Sequence, residues 1–311
     1  MTKLVTGGAG FIGSHIVARL LHLGERVRIL DDFSTGKWSN LEGFRDDVEV
    51  VEGDLRDPGA LARAVKGCDV VYQQAALRSV PRSIDDPRAN NDVNVTGILN
   101  LLIAAKEAGV RRVVYASSSS VYGDDPTLPK LEDQTPRPIS PYAATKIMGE
   151  YYCRIYSQLY GLETVSLRYF NVFGPRQDPE SRYAAVVPRF ITAALAGEPL
   201  EVHGDGLQSR DFTYIDNVVS ANLLAGDVPG AVGEAFNIAC GARFSLLDTV
   251  AAIEKGLGHP VKREHIESRA GDVKHTLADI GKARRLLGYE PEVAFDDGMA
   301  RTVAWFREHA A

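Results

Sequence analysis

The chain has 311 residues, of which 45% are hydrophobic and 24% charged, a composition that supports a large core and excludes a disordered or low-complexity protein. Its formal net charge of -6 argues against a polyanion-binding surface, and so against nucleic acid as a partner, while a local arginine cluster can still hold a small anion. Cys68, Cys153 and Cys240 are odd in number, scattered and without zinc spacing, which fits a reducing compartment and predicts no metal.

The first strand reads Lys3-Leu4-Val5-Thr6. No charged leader with an apolar run precedes it, and no later apolar stretch approaches the ~18 residues of a membrane span, so a cytoplasmic protein is expected. Gly7-Gly8-Ala9-Gly10-Phe11-Ile12-Gly13 follows, then a helix over Ser14 to Leu23 closed by Gly24. Glycines at Gly7, Gly10 and Gly13 permit a tight turn and close backbone approach to a pyrophosphate, which the next helix N-terminus attracts; Phe11 and Ile12 belong to the same loop. The second strand, Arg26 to Leu30, ends at Asp31, about 20 residues past the loop, where an acid binds the adenosine ribose. A carboxylate there repels a 2'-phosphate, so NAD is expected rather than NADP, with Asp32 able to share the role.

Val48 to Val51 is the third strand, and Asp54-Leu55 just beyond it are placed near the adenine. Val70 to Tyr72 is the fourth strand, Ile98 to Ala108 a helix closed by Gly109, and Arg112 to Ala116 the fifth strand. A long helix over Tyr142 to Tyr160 and a strand over Thr164 to Tyr169 complete the alternation. The pattern loosens after Asn171, where Pro175, Pro179, Pro188 and Pro199 punctuate loops and one helix. Phe236-Asn237-Ile238 returns as a late strand, and short helices and turns lead to a last helix near Ala300 to His309. Such alternation predicts an α/β Rossmann-type doubly wound parallel sheet with a smaller, discontinuous α/β substrate domain. The expected division is 1-170 plus about 211-240 for NAD and about 171-210 plus 241-311 for the substrate, with a ligand cleft between.

Chemistry concentrates at one helix start. Tyr142 and Lys146 are i and i+4 and share a face, so the ammonium is expected to lower the phenol's pKa and make Tyr142 a general base. Ser117 to Ser120 follow the fifth strand at the sheet edge where ligands bind, so one of these hydroxyls can hold the substrate oxygen beside Tyr142.

The runs Val5 to Gly13, Ser118 to Gly123, Ser140-Pro141-Tyr142 with Lys146, and Arg168-Tyr169-Phe170-Asn171-Val172 resemble the extended short-chain dehydrogenases/reductases, and within them the UDP-galactose/UDP-N-acetylglucosamine 4-epimerases. The resemblance runs to about Tyr289. It implies Tyr142 as base, Lys146 as its electrostatic partner and Ser118 as the substrate serine, with Ser119 and Ser120 beside it. It implies cofactor-side positions for Gln74, Ala75, Ala76, Asn94, Tyr169 and Phe170, and a diphosphate-side position for Asn171. Arg210 and Arg269, the latter beside Asp272, match the family's diphosphate arginines, whose guanidinium forks suit phosphate. Glu201, Val202 and His203 fall where the family packs uracil. A homodimer through Ile98–Ala108 and Tyr142–Tyr160 is also implied.

In that family the reaction opens with a 4-keto sugar, and dehydratases or decarboxylases add a carboxylate beside the active serine. Here Ser119-Ser120-Val121 occupies the place and no acid follows until Asp124, so the expectation is return of the hydride to the other face and inversion at C4. Ala75 to Ser83, with Arg78 on the substrate side, and Gln177 to Pro188, with Ala185 and Val186, resemble hexosamine-preferring members. Thr276 stands where strict UDP-galactose epimerases carry Tyr, which leaves room for an N-acetyl group. Arg182 departs from the pattern and keeps UDP-uronates open as an alternative substrate; a non-catalytic NAD-sensing protein is the alternative from another class.

Overall fold

The computed structural model describes residues 1–179, 185–267 and 274–309. The strands in chain order are β1 (Thr2–Thr6), β2 (Arg26–Asp31), β3 (Val48–Glu52), β4 (Cys68–Gln73), β5 (Arg112–Ser118), β6 (Glu163–Tyr169), β7 (Val172–Phe173), β8 (Leu200–His203), β9 (Ser209–Arg210), β10 (Thr213–Tyr214), β11 (Ala235–Ile238), β12 (Phe244–Ser245) and β13 (Arg263–Ile266). Seven of them form one sheet in the order β11-β6-β5-β4-β1-β2-β3. Every neighbouring pair in it is parallel. The chain runs outward from β1 to β3 and then restarts on the other side at β4. That reversal between β1 and β4 is the switch point beyond which an open sheet binds its ligand.

Residues of the inner strands are buried on both faces, which is why they read as continuous apolar runs rather than alternations. One core contains Val5, Ile29, Val70, Val114 and Leu167; the other, across the sheet, contains Leu4, Leu30, Val71 and Val113.

The helices are α1 (Phe11–His22), α2 (Pro58–Val65), α3 (Val80–Asp85), α4 (Pro87–Asn91), α5 (Gly97–Glu107), α6 (Pro141–Tyr160), α7 (Val186–Leu195), α8 (Ile215–Asp227), α9 (Leu246–Leu257), α10 (Gly281–Leu287) and α11 (Phe295–His309). The alternation was read correctly, with corrections. Helix α1 begins at Phe11, so Gly13 is helical rather than part of a loop. Helix α2, capped by the Asp57 carboxylate on Gly59 N–H, and helix α8 are additions. Beyond Gly241 the helices are not all short: α9 has 12 residues, set by a reciprocal cap between Ser245 and Asp248. No helix among the described residues is long and apolar enough to cross a membrane.

Two features position the site. Ser140 caps α6 by accepting from Ala143 N–H at 3.2 Å, and Pro141 starts the helix, which fixes Tyr142 in its first turn. After β6 the chain leaves the sheet, and β7, paired with β10, and β8, paired with Arg263–Ile266, contribute to the wall of a second hollow.

Candidate active site

A cleft of about 360 Å³ opens over the C-terminal ends of the strands. Its floor is the turn from β1 into α1. Gly7 has φ +65, and a Cβ there would stand 2.7 Å from the Ala75 backbone nitrogen. Gly13 is pressed against Gly7, so that a Cβ would stand 2.0 Å from the Gly7 carbonyl oxygen. The N-cap of α1 is Gly10, which brings no side-chain oxygen, and the first turn holds no acid. The leading N–H groups and the positive end of the helix are thus left for an anion in the cleft.

Asp31 closes one end. One carboxylate oxygen accepts from Ala9 N–H at 2.8 Å and the other from Phe33 N–H at 2.9 Å. Each oxygen keeps a lone pair for a hydroxyl in the cleft. Burial raises the pKa of this carboxyl, and the two backbone donors oppose that. Asp32 turns back on Ser34, accepting from its N–H and hydroxyl. Asp54 lines the cleft too and is held ionised by Arg56, 2.6 Å away.

The reactive groups stand at the other end. Ser118, the last residue of β5, stands beside Tyr142, where its hydroxyl works against the upward push of burial on the phenol's pKa. Ser118 Oγ also accepts from Ser120 N–H at 3.2 Å and from the Ser120 hydroxyl at 3.0 Å. With both lone pairs engaged by Ser120, its single proton is left for an oxygen in front of Tyr142, the phenol's own or that of a bound sugar. Lys146 Nζ donates to the Ala116 carbonyl at 2.8 Å and lies 5.7 Å from the centre of the Tyr142 ring.

The electrostatics correct the sequence-based account. Burial raises the Tyr142 pKa, and the groups pulling it back are the Ser118 hydrogen bond and the charge of Arg78, not Lys146. Lys146 is itself brought down to about 8 by desolvation, with Cys153 and Glu150 opposing.

Gly7, Gly10, Phe11, Ile12, Gly13, Asp31, Asp32, Asp54, Leu55, Gln74, Ala75, Ala76, Tyr142, Lys146 and Tyr169 all line this one cleft. Tyr169 is held there by Gln74 and Asn222, whose side chains hydrogen-bond its hydroxyl. Two expected residues stand elsewhere. Asn94 is buried behind the lining and clamps Leu77, accepting from its N–H at 2.8 Å and donating to its carbonyl at 3.0 Å. Phe170 is fully buried in the core beneath the site. Arg78, assigned from the sequence to the substrate, lines the same cleft as the glycine turn. Sequence reasoning missed Ser34, Thr35 and Gly36, which also line it. A small-residue turn straight after Asp31-Asp32 was the available signal.

Asn171, Ala185, Val186, Glu201, His203 and Arg210 come together around a second hollow of about 250 Å³ with Phe190 and Phe212 in its wall. Val202 points away and is fully buried. Arg210 is steadied by donating to the Ser209 and Lys274 carbonyls. Thr276 borders this group, its hydroxyl 3.4 Å from Asn171 Nδ2. Ser119 begins the tight turn Ser119–Tyr122 beside the reactive serine. Arg182, Arg269 and Asp272 lie outside the described residues. Among the described residues, no group of three or more His, Cys, Asp and Glu is arranged to hold a metal ion.

Comparison with known proteins agrees with this layout. Residues 3–239 match the NAD dependent epimerase/dehydratase family. The chain is 43% identical to a UDP-glucose 4-epimerase of Mycolicibacterium smegmatis over 99% of both chains. A UDP-N-acetylglucosamine 4-epimerase of Methanobrevibacter ruminantium, solved with UDP-N-acetylmuramic acid, superposes with a TM-score of 0.95 at 40% identity, covering 99% of this chain and 98% of that one. A UDP-glucuronic acid 4-epimerase of Bacillus cereus, solved with UDP-glucuronic acid and NAD, gives 0.91 at 34% identity, covering 99% of this chain and 100% of that one.

Proposed function

We propose, from the premise that this chain belongs to the NAD dependent epimerase/dehydratase family, that it inverts C4 of UDP-N-acetylglucosamine and UDP-N-acetylgalactosamine, and of UDP-glucose and UDP-galactose as well. At the coarser level the chain is a UDP-sugar 4-epimerase, and its cofactor is NAD. The glycine cradle fits that cofactor: Gly7 and Gly13, where a Cβ would collide with neighbouring backbone, let the turn and α1 pack closely, and the uncapped start of α1 at Gly10 is left for a pyrophosphate.

The observation that carries the reading is the placing of Ser118 beside Tyr142, at one end of a cleft whose described carboxylates, Asp31, Asp32 and Asp54, line the other end. In the proposed mechanism Tyr142 takes the proton from the sugar O4, with Ser118 holding the same oxygen. Bound NAD supplies a hydride acceptor and donor at C4. Among the described residues no acid stands beside Tyr142 to protonate a leaving group, so the 4-keto sugar is turned, the hydride would come back to the opposite face of C4, and Tyr142 returns the proton to O4. Arg210 and Asn171 hold the diphosphate, and Asp31 the adenosine ribose. The proposed division into a dinucleotide part and a sugar part is supported by the cleft being lined from the first 170 residues and the second hollow from segments from Asn171 onward.

Incubation with UDP-N-acetylglucosamine and, separately, UDP-glucose without a reductant, resolved by NMR, tests this directly. Epimers of both sugars without net NADH are expected. Conversion of UDP-glucuronate alone would move the assignment to uronates. The sugar pocket has its own test. Thr276→Tyr places a phenol beside Asn171 and is expected to cut kcat/KM for the N-acetyl sugars roughly tenfold or more while the glucose reaction changes little. Equal losses on both would remove Thr276 from the specificity argument.

The partner we propose is a second copy of the chain. On α6, Met148, Tyr151, Ile155 and Leu159 are exposed at spacings of three and four, which puts them on one face, and Ile103 of α5 is exposed as well. A dimer in light scattering is therefore expected for the native protein and a monomer for Ile155→Arg. A variant that stays dimeric would place the interface elsewhere.

A further inference from the structure

Behind Tyr142 and Lys146 runs a buried chain of polar side chains to which the reaction assigns no role. Glu150 stands one turn beyond Lys146 on α6 and is 7% exposed. Its Oε1 accepts from Ser117 Oγ at 2.5 Å and from Arg168 Nε at 2.9 Å, and its Oε2 accepts from Arg168 Nη2 at 2.7 Å. Ser117 precedes Ser118 on β5 and is paired in register with Arg168 on β6. Arg168 continues the chain by donating to the Tyr122 hydroxyl at 2.9 Å. Tyr122 in turn donates to Asn237 Oδ1 at 2.6 Å, and Asn237 Nδ2 donates to the Lys130 and Asp279 carbonyls.

We propose that Glu150 is a positioning residue: through Ser117 it fixes the tip of β5 that carries Ser118 beside Tyr142, and from one helical turn away it sets the electrostatic surroundings of Lys146. The proposal rests on the assignment of the chemistry to Tyr142, Ser118 and Lys146. A carboxylate used only to seal the core would be matched by an apolar pair of the same shape, since a buried ion pair is weak evidence for stability. Here one carboxylate touches the catalytic helix, the serine strand and its neighbour, which is the geometry of an orienting group.

The groups facing Lys146 support the second half. Tyr142 and Cys153 lie on its own helix, Tyr115 faces it from β5 with its ring centre 5.2 Å away, Arg168 on β6 is engaged with Glu150, and Arg78 stands beyond Tyr142. Burial pushes the Cys153 thiol and the Tyr115 phenol far up, so both are neutral in the range where Lys146 titrates. Glu150 is then the anion on that side of the lysine.

The test uses the NAD-loaded protein and two readouts. The first is the 13Cε NMR titration of Lys146, assigned with Lys146→Met. In Glu150→Gln its midpoint is expected to fall by about one unit. This measurement needs no sugar, so an error in the proposed substrate leaves it untouched. The second is steady-state epimerisation, where Glu150→Gln is expected to lower kcat roughly tenfold with KM within about twofold. Ser117→Ala leaves the ion pair intact and is expected to lower kcat about threefold to tenfold at unchanged KM. Should Glu150→Gln leave Arg168 uncompensated and fail to fold, Glu150→Gln with Arg168→Met removes the unpaired cation as well, and a downward but smaller titration shift is expected. A folded variant with an unmoved Lys146 titration, together with an unchanged kcat in Ser117→Ala, would overturn the proposal.

Discussion

Tyr142→Phe is expected to lower kcat about 10³-fold while KM and bound NAD stay near their native values, because general acid–base groups contribute about 10² to 10⁴. The substitution removes one oxygen and keeps the ring. Ser118 keeps both bonds from Ser120 and loses only the phenol in front of its own proton, and Lys146 keeps the Ala116 carbonyl. The loss is therefore specific to the proton transfer, and the measurement is steady-state epimerisation beside a cofactor assay. Full activity would remove Tyr142 from the chemistry. The pH dependence has a definite sign. Burial raises the phenol's pKa, so the phenolate is a minor form at neutral pH and kcat/KM is expected to climb as pH rises.

Gly13→Ala is expected to abolish cofactor retention. Its Cβ would stand 2.0 Å from the Gly7 carbonyl oxygen, 2.8 Å from the Gly7 carbonyl carbon and 2.9 Å from Gly8 Cα. All three are backbone atoms, and no flexible side chain stands among them to yield. Either α1 or the turn has to move, at a cost of about 3 kcal/mol or more. If the turn gives way, NAD affinity falls by about 100-fold or more. Release of the nucleotide by heating and absorbance of the supernatant gives the bound fraction, and circular dichroism tells loss of cofactor from loss of fold. A folded variant with native NAD content would mean that the turn does not hold the pyrophosphate.

The sheet was legible because parallel strands covered on both faces leave uninterrupted apolar runs, as at Val70 to Tyr72 and Arg112 to Ala116. The start of α1 was misplaced because Gly13 reads as loop, whereas it is helical so that the helix can pack against Gly7. Helix α8 went unread because buried polar residues break its apolar face. Asn217 is satisfied by the Val293 backbone and Asn222 by Tyr169, partners 76 and 53 residues away. The same distance in sequence hid the electrostatics. Tyr142 and Lys146 share a helix face as their spacing predicts, yet the lysine spends its proton on Ala116 and the nearer help for Tyr142 comes from Ser118 and Arg78. Asn94 lies close to the cleft in sequence terms, but its amide is consumed by Leu77.

Ser118 receives two hydrogen bonds from Ser120, and this has a consequence for timing. A free hydroxyl samples several rotor positions, and each turnover would have to select one of them. Here the selection is made when the chain folds. The dipole at Ser118 already points toward the oxygen that must carry negative charge, so no reorientation accompanies proton transfer in either direction. An enzyme that runs its reaction both ways benefits doubly, since the same fixed dipole serves the forward and the return half of the cycle.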